Sequence, residues 1–159
     1  MKLYILHGWG QSSKHWKIVK EKLANFVEIE LLDMPSVNPK LSGGEDWGIP
    51  DFSNWLDQQL KGQKDVLLLG HSFGGRVSSY YAAKHKHNLK GLVLYGSPSI
   101  YRPSPSTQMK TLLANKLGGF IPTFFKSKMM SAEYLEAKKN GRGGLFKRAV
   151  KFDQTDLLD

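Results

Sequence analysis

One serine in the chain stands where a hydroxyl can serve as a nucleophile. Gly70-His71-Ser72-Phe73-Gly74 sets Ser72 between two glycines, directly after the apolar run Val66-Leu67-Leu68-Leu69 and directly before the stretch 75–84. A strand-to-helix turn that sharp has no room for side chains beside the serine, which accounts for glycine at 70, 74 and 75. It lifts the hydroxyl above the sheet edge, at a helix N-terminus whose free N–H groups favour a developing oxyanion. The chemistry would be attack on a carbonyl carbon. A second segment, His7-Gly8-Trp9-Gly10, follows the first apolar run. Glycines there free backbone N–H groups to point into a site. One N–H from this loop and one from the residue after the serine would form an oxyanion hole, with Trp9 and Phe73 as the candidates. Either segment alone could be a glycine-rich turn. Both together, each after its own strand and in this order, outweigh that reading.

These residues need a scaffold, and the apolar pattern predicts one. Lys2–Leu6, Val27–Leu32, Val66–Leu69 and Leu92–Tyr95 read as strands. Between them Ser13–Leu23, Pro50–Leu60 and Gly75–Lys84 read as helices, the first with Trp16, Val19 and Leu23 at helical spacing. Alternation of this kind argues an α/β fold with a mostly parallel sheet and right-handed crossover helices. The runs 66–69 and 92–95 do not alternate with polar residues, so both are expected to be buried on both faces. After Gly96 the character changes. Ser97–Thr107 holds three prolines and reads as a loop. Helical stretches follow at 106–117, 123–130, 132–139 and 143–151, with Ser131 as an N-cap and Asn140-Gly141 as a break. Residues 1–97 thus read as a sheet core and 98–158 as a helical insertion.

Composition narrows the function classes. The chain has 159 residues, 40% of them apolar, and no cysteine. Disorder is excluded, as are disulfides, thiolate metal sites and a cysteine nucleophile. No apolar run approaches the ~20 residues of a membrane span, and the N-terminal one is too short for a signal peptide. A cytoplasmic protein is the expectation. The net charge of +9 lies entirely in residues 84–159, with fourteen basic and five acidic residues. That half could meet nucleic acid or an anionic surface. Nineteen of the 23 basic residues are lysine, however, and no nucleic-acid-binding signature is visible, so a solvated surface is the favoured reading. No His/Asp/Glu grouping has ligand spacing, so no metal or cofactor is expected.

With these motifs in place, the chain resembles the α/β-hydrolase superfamily along its whole length. The resemblance takes in Trp16, Asp33-Met34-Pro35 after the second strand, and the cap-like stretch from Ser131-Ala132-Glu133-Tyr134 through Arg142 to Phe152-Asp153. Ser36 stands where relatives often have glycine. The resemblance implies a serine hydrolase acting through an acyl-enzyme, with Ser72 as nucleophile, Trp9 and Phe73 as oxyanion donors and 98–158 as a cap. Phe120, Ile121, Phe124, Phe125, Met129 and Met130 would either cover an apolar acyl or alkyl group of a small-molecule substrate or pack the cap on the core.

The order expected in this fold is serine, then acid, then histidine. His7, His15 and His71 precede Ser72, and His85 and His87 read as solvent-exposed. Gly96-Ser97 offers no carboxylate. Asp153, Asp156 and Asp159 follow no strand, and the first two read as loop and cap residues. In the resemblance, two more strand–helix units of about 60 residues would follow and carry the acid and the histidine. The expectation is an N-terminal portion of a longer enzyme, catalytically incomplete by itself. The alternative is a non-catalytic binding module of the same fold.

Overall fold

The computed structural model describes residues 1–85, 89–97, 105–106, 108–109 and 132–157. Within them four strands, β1 (Lys2–Leu6), β2 (Glu28–Leu32), β3 (Val66–His71) and β4 (Leu89–Tyr95), form one sheet in the order β2-β1-β3-β4, every pair parallel. The connections carry α1 (Lys17–Leu23), α2 (Ile49–Gln59) and α3 (Phe73–Lys84). A hairpin of α4 (Ala132–Lys139) and α5 (Gly143–Lys151) follows. Because β2 lies on one side of β1 and β3 on the other, the chain leaves the sheet in opposite directions at their carboxyl ends. In open parallel sheets a binding crevice forms at that switch point.

Two apolar layers follow from the two-residue period of the strands. Leu3, Ile5 and Ile29 face Trp16, Val19 and Leu23 of the first helical segment. Tyr4, Leu6, Val66 and Leu68 face the other way, into a larger cluster with Phe52 and Leu56 of α2, Phe73, Val77 and Tyr81 of α3, and Leu145 and Ala149 of α5. The hairpin therefore shares the main core. It is also tied at its rim. Arg142 donates to the carbonyls of Pro39 and Leu41, and Arg148 to those of Glu45 and Trp47. Its C-terminal end is fastened to α3. The Arg76 guanidinium donates to the Phe152 carbonyl. The Ser79 hydroxyl donates to Gln154 Oε1 at 2.6 Å, and Gln154 Nε2 donates to the Arg76 carbonyl at 2.9 Å.

The structure departs from the sequence reading in several places. The first helix opens as a 3-10 turn, Ser13–Trp16, before α1 begins. Asp33 takes both the N–H and the hydroxyl of Ser13, at 2.6 and 2.7 Å, and draws that turn sideways onto the loop after β2. β3 runs on to His71 and α3 begins at Phe73, leaving Ser72 alone between them. Burial on both faces holds only in part for residues 66–69, where Val66 and Leu68 are buried and Leu67 and Leu69 half-buried, and fails for 92–95. Val93 is 53% and Tyr95 63% exposed, because β4 pairs only with β3 and no other described strand lies along its outer edge. Ser36 adopts φ 55° while fully buried, a left-handed backbone that suits glycine better. The helices at 132–139 and 143–151 match their expected bounds, and Gly141 turns between them at φ 74°. The apolar residues 120–130, Ser131 and His87 lie outside the described residues, as does most of the stretch 98–131. No helix among the described residues is long and apolar enough to cross a membrane.

Since α5 shares the core, truncating its buried anchor should be felt by the whole molecule. Leu145→Ala is expected to cost about 2–5 kcal/mol. Urea titration should show one lowered midpoint, the same by far-ultraviolet dichroism and by tryptophan fluorescence. Unaltered loss of the sheet signal with early loss of the hairpin alone would contradict the shared core.

Candidate active site

Ser72 sits at φ 51°, ψ −112°, in a region that non-glycine residues rarely occupy. Strain of this kind persists only where the surroundings over-determine it, and here they do. The Ser72 N–H donates to the Tyr95 carbonyl at 3.0 Å. The Ser72 carbonyl accepts from the Ser97 hydroxyl at 2.8 Å, the Gly75 N–H at 3.1 Å and the Arg76 N–H at 3.3 Å. A Cβ on Gly70 would come within 2.4 Å of Gly75 Cα, and one on Gly74 within 2.5 Å of the Leu6 carbonyl oxygen. The glycines of the motif thus let three backbones meet: the end of β3, the start of α3 and the end of β1. The Ser72 side chain is half-buried, and its hydroxyl has no hydrogen-bond partner among the described residues.

Two peptide planes flank this point, and both are clamped by their carbonyls. A trans peptide directs its N–H opposite to its C=O. The three donors on the Ser72 carbonyl therefore set the direction of the Phe73 N–H. The Gly8 carbonyl accepts from the His7 ring at 2.8 Å and from the Gln11 N–H at 3.2 Å, which sets the direction of the Trp9 N–H. Neither the Trp9 nor the Phe73 N–H has a hydrogen-bond partner among the described residues. Their side chains bring the two loops together, with the Trp9 and Phe73 rings edge-on at 5.6 Å. Phe146 of α5 closes on the other side of Trp9 at 5.0 Å, so the hairpin reaches the site.

The histidines fall into definite roles. His7 is buried. Its Nε2 accepts from the Met34 N–H at 3.1 Å while Nδ1 donates to the Gly8 carbonyl. A peptide N–H can only donate and a carbonyl can only accept, so the ring is the neutral Nδ1–H tautomer. Burial holds its pKa below the usual value, outweighing the Gly8 carbonyl and the Asp33 carboxylate 3.5 Å away. With both nitrogens engaged it acts as a strut. His71 meets Gln11 Oε1 at 3.1 Å through Nδ1 and lies between the rings of Trp16 and Tyr95. Burial lowers its pKa too. His15 accepts from the Ser12 N–H beside the 3-10 turn. His85 is stacked on Tyr81 at 4.4 Å with Asp57 at 3.4 Å, rather than free in solvent, and lies at the far end of α3 from Ser72. None of these four hydrogen-bonds Ser72.

Of the carboxylates, Asp33 is a structural anchor. Burial would raise its pKa, but hydrogen bonds from Ser13 and Asn38 overcome this and hold it below the usual value. Asp153 accepts from the Thr155 N–H and hydroxyl, a local turn cap. A cleft of about 500 Å³ opens beside Gly10, lined among others by Ser13, Asp33, Asn38, Lys14 and Lys40; Ser72 is not part of it. Two residues that the sequence did not single out belong to the site. Gln11 bridges to a ring 60 positions away, and Phe146 reaches Trp9 across most of the chain. No short-range pattern encodes either contact.

A family model for the alpha/beta hydrolase fold matches residues 3–141. The chain is 29% identical over 145 residues to the pimeloyl-[acyl-carrier protein] methyl ester esterase of Aeromonas salmonicida, covering 83% of this chain and 55% of that protein. It is 32% identical over 98 residues to the protein of that name from Aeromonas hydrophila, covering 60% of this chain and 37% of that one. The chain thus spans about half, or less, of the length of these curated relatives. Among solved structures, NosK from Streptomyces actuosus superposes with a TM-score of 0.61 at 18% identity, over 98% of this chain and 70% of that one. At that identity the superposition speaks to the fold alone.

The His7 assignment has a pH consequence. The folded pKa lies below 6.5 and the unfolded chain titrates near 6.5. Below pH 6.5 the unfolded state therefore binds more protons, and stability falls as pH drops further. His71, whose pKa burial also lowers, adds to the decline in the same window, whereas Asp33, with its carboxyl held below the ordinary value in the fold, loses its contribution only at lower pH. Urea midpoints should be level above pH 6.5 and decline toward pH 5. Nitrogen-15 spectra should show His7 as the neutral Nδ1–H tautomer at pH 7.5, and the Nε2–H tautomer there would contradict the assignment.

Proposed function

Since the chain belongs to the alpha/beta hydrolase fold family, we propose that it carries the nucleophile and the oxyanion hole of an esterase-type serine hydrolase. In this reading Ser72 Oγ attacks the carbonyl carbon of an ester while a base takes its proton. The N–H groups of Trp9 and Phe73 hold the tetrahedral oxyanion. Collapse expels the alcohol, which must regain a proton, and leaves an acyl-enzyme that water hydrolyses. The observation that carries the reading is the backbone at Ser72. A strained non-glycine residue sits beside two clamped peptides whose N–H groups have no hydrogen-bond partner among the described residues, the preorganisation that oxyanion stabilisation requires.

The substrate proposed is an ester with an apolar acyl part. The edge-on rings of Phe146, Trp9 and Phe73 run in contact up to the residue after Ser72, and the named activity of the curated relatives is methyl ester cleavage. The stretch 98–158 is read as a cap, with α4 and α5 as its described helices and Phe146 of α5 in contact with Trp9. The reading assigns the base to none of the described histidines, since His7 is locked and the others do not bond Ser72. A binding module without turnover is the second reading, favoured by that same absence of a bonded histidine.

A fluorophosphonate probe separates the two. Peptide mapping after prolonged exposure should find Ser72 as the one modified residue. Ser72→Ala should abolish labelling with unchanged dichroism, since the side chain projects from the turn and not into the core. Trp9→Pro, which deletes one donor, should slow capture by roughly 10²–10³. A label on another serine, or labelling that survives Ser72→Ala, would overturn the assignment; no labelling at all would favour the binding module.

A further inference from the structure

Gln11 directly follows the His7–Gly10 loop and folds its side chain back over it. The amide oxygen accepts from the Gly8 N–H at 3.0 Å and faces His71 Nδ1 at 3.1 Å. The donor and acceptor identities follow in sequence from one fixed group. The Gly8 N–H can only donate, so the atom facing it is Oε1 and not the amide nitrogen. Oε1 can only accept, so His71 Nδ1 carries a proton. Packing confirms how close the two loops lie here. A Cβ on Gly8 would stand 2.7 Å from His71 Nδ1 and 3.3 Å from Gln11 Oε1. The Gln11 backbone N–H meanwhile holds the Gly8 carbonyl. Gln11 thus grips Gly8 at both its N–H and its C=O.

The two partners of Oε1 are each one step from an oxyanion donor. The Gly8 N–H belongs to the His7–Gly8 peptide, and the next peptide bears the Trp9 N–H. His71 precedes Ser72, whose peptide bears the Phe73 N–H. We propose that Gln11 is a positioning residue for the oxyanion pair: its amide oxygen is the shared acceptor that ties the His7–Gly8 peptide to the serine turn, while its backbone N–H holds the carbonyl of the next peptide, the one that bears the Trp9 N–H. The inference rests on the reading that these two N–H groups receive the oxyanion. His71 is held between Trp16 and Tyr95, so the bridge ties the glycine loop to a ring already fixed by packing. Burial keeps the His71 ring neutral near pH 7, where a single N–H tautomer is defined.

The test compares the unaltered chain with Gln11→Leu, which removes the acceptor, and Gln11→Glu, which keeps it. In the unaltered chain, nitrogen-15 spectra at pH 7.5 should show His71 as the Nδ1–H tautomer. The Nε2–H tautomer would overturn the bridge without any variant, even if Gln11→Leu failed to fold. In Gln11→Leu the Gly8 amide should exchange with solvent about tenfold faster or more, and fluorophosphonate capture at Ser72 should slow roughly tenfold or more, short of outright donor loss. Gln11→Glu should restore both. Faster exchange with an unchanged capture rate would overturn the positioning role and leave the nucleophile reading standing. No capture in the unaltered chain would remove that reading, and the inference with it.

Discussion

The structure turns on one close approach. At residue 72 the chain reverses from strand to helix in a single residue, and three backbones meet with no side chain between them. Gly70 lies against Gly75, and Gly74 against the carbonyl that ends β1. Everything else at the site depends on that contact. It forces Ser72 into its strained conformation, places the start of α3 against the His7–Gly10 loop, and joins the two strands that flank the switch point. A single methyl group at Gly74 would have to displace backbone, not a flexible side chain.

Orientation follows from planarity. A backbone N–H cannot be aimed directly, but its peptide plane can be fixed by the carbonyl on the other side. Here the Gly8 carbonyl is held by His7 and Gln11, and the Ser72 carbonyl by Ser97 and the first turn of α3. His7 can hold the Gly8 carbonyl and the Met34 N–H together only while neutral, and burial favours that form. Asp33 supports the same loop from behind by anchoring the 3-10 turn at Ser13. The polar residues around the loop therefore act on geometry. Among the described residues none is bonded to the serine hydroxyl.

The strands and helices of the first 97 residues were legible because each apolar run has a period and each turn has glycine or proline. The serine motif and the His-Gly-Trp-Gly loop were legible because close backbone approach demands glycine, a demand that local sequence records. The site's supports were not. Gln11 on His71 and Phe146 on Trp9 join residues far apart in sequence, where a glutamine or a phenylalanine has many equivalent uses. The exposed face of β4 escaped a pattern that registers apolarity but not the presence of a neighbour. The 3-10 start of the first helix depended on an aspartate 20 residues on.

The central claim is that Ser72 faces two converging N–H donors. A crystal structure of the phosphonylated chain tests it directly. The phosphoryl oxygen should lie within hydrogen-bond distance of both the Trp9 and the Phe73 nitrogen, about 2.7–3.1 Å from each. An adduct on Ser72 whose oxygen points to solvent, or to donors other than these two, would contradict the account.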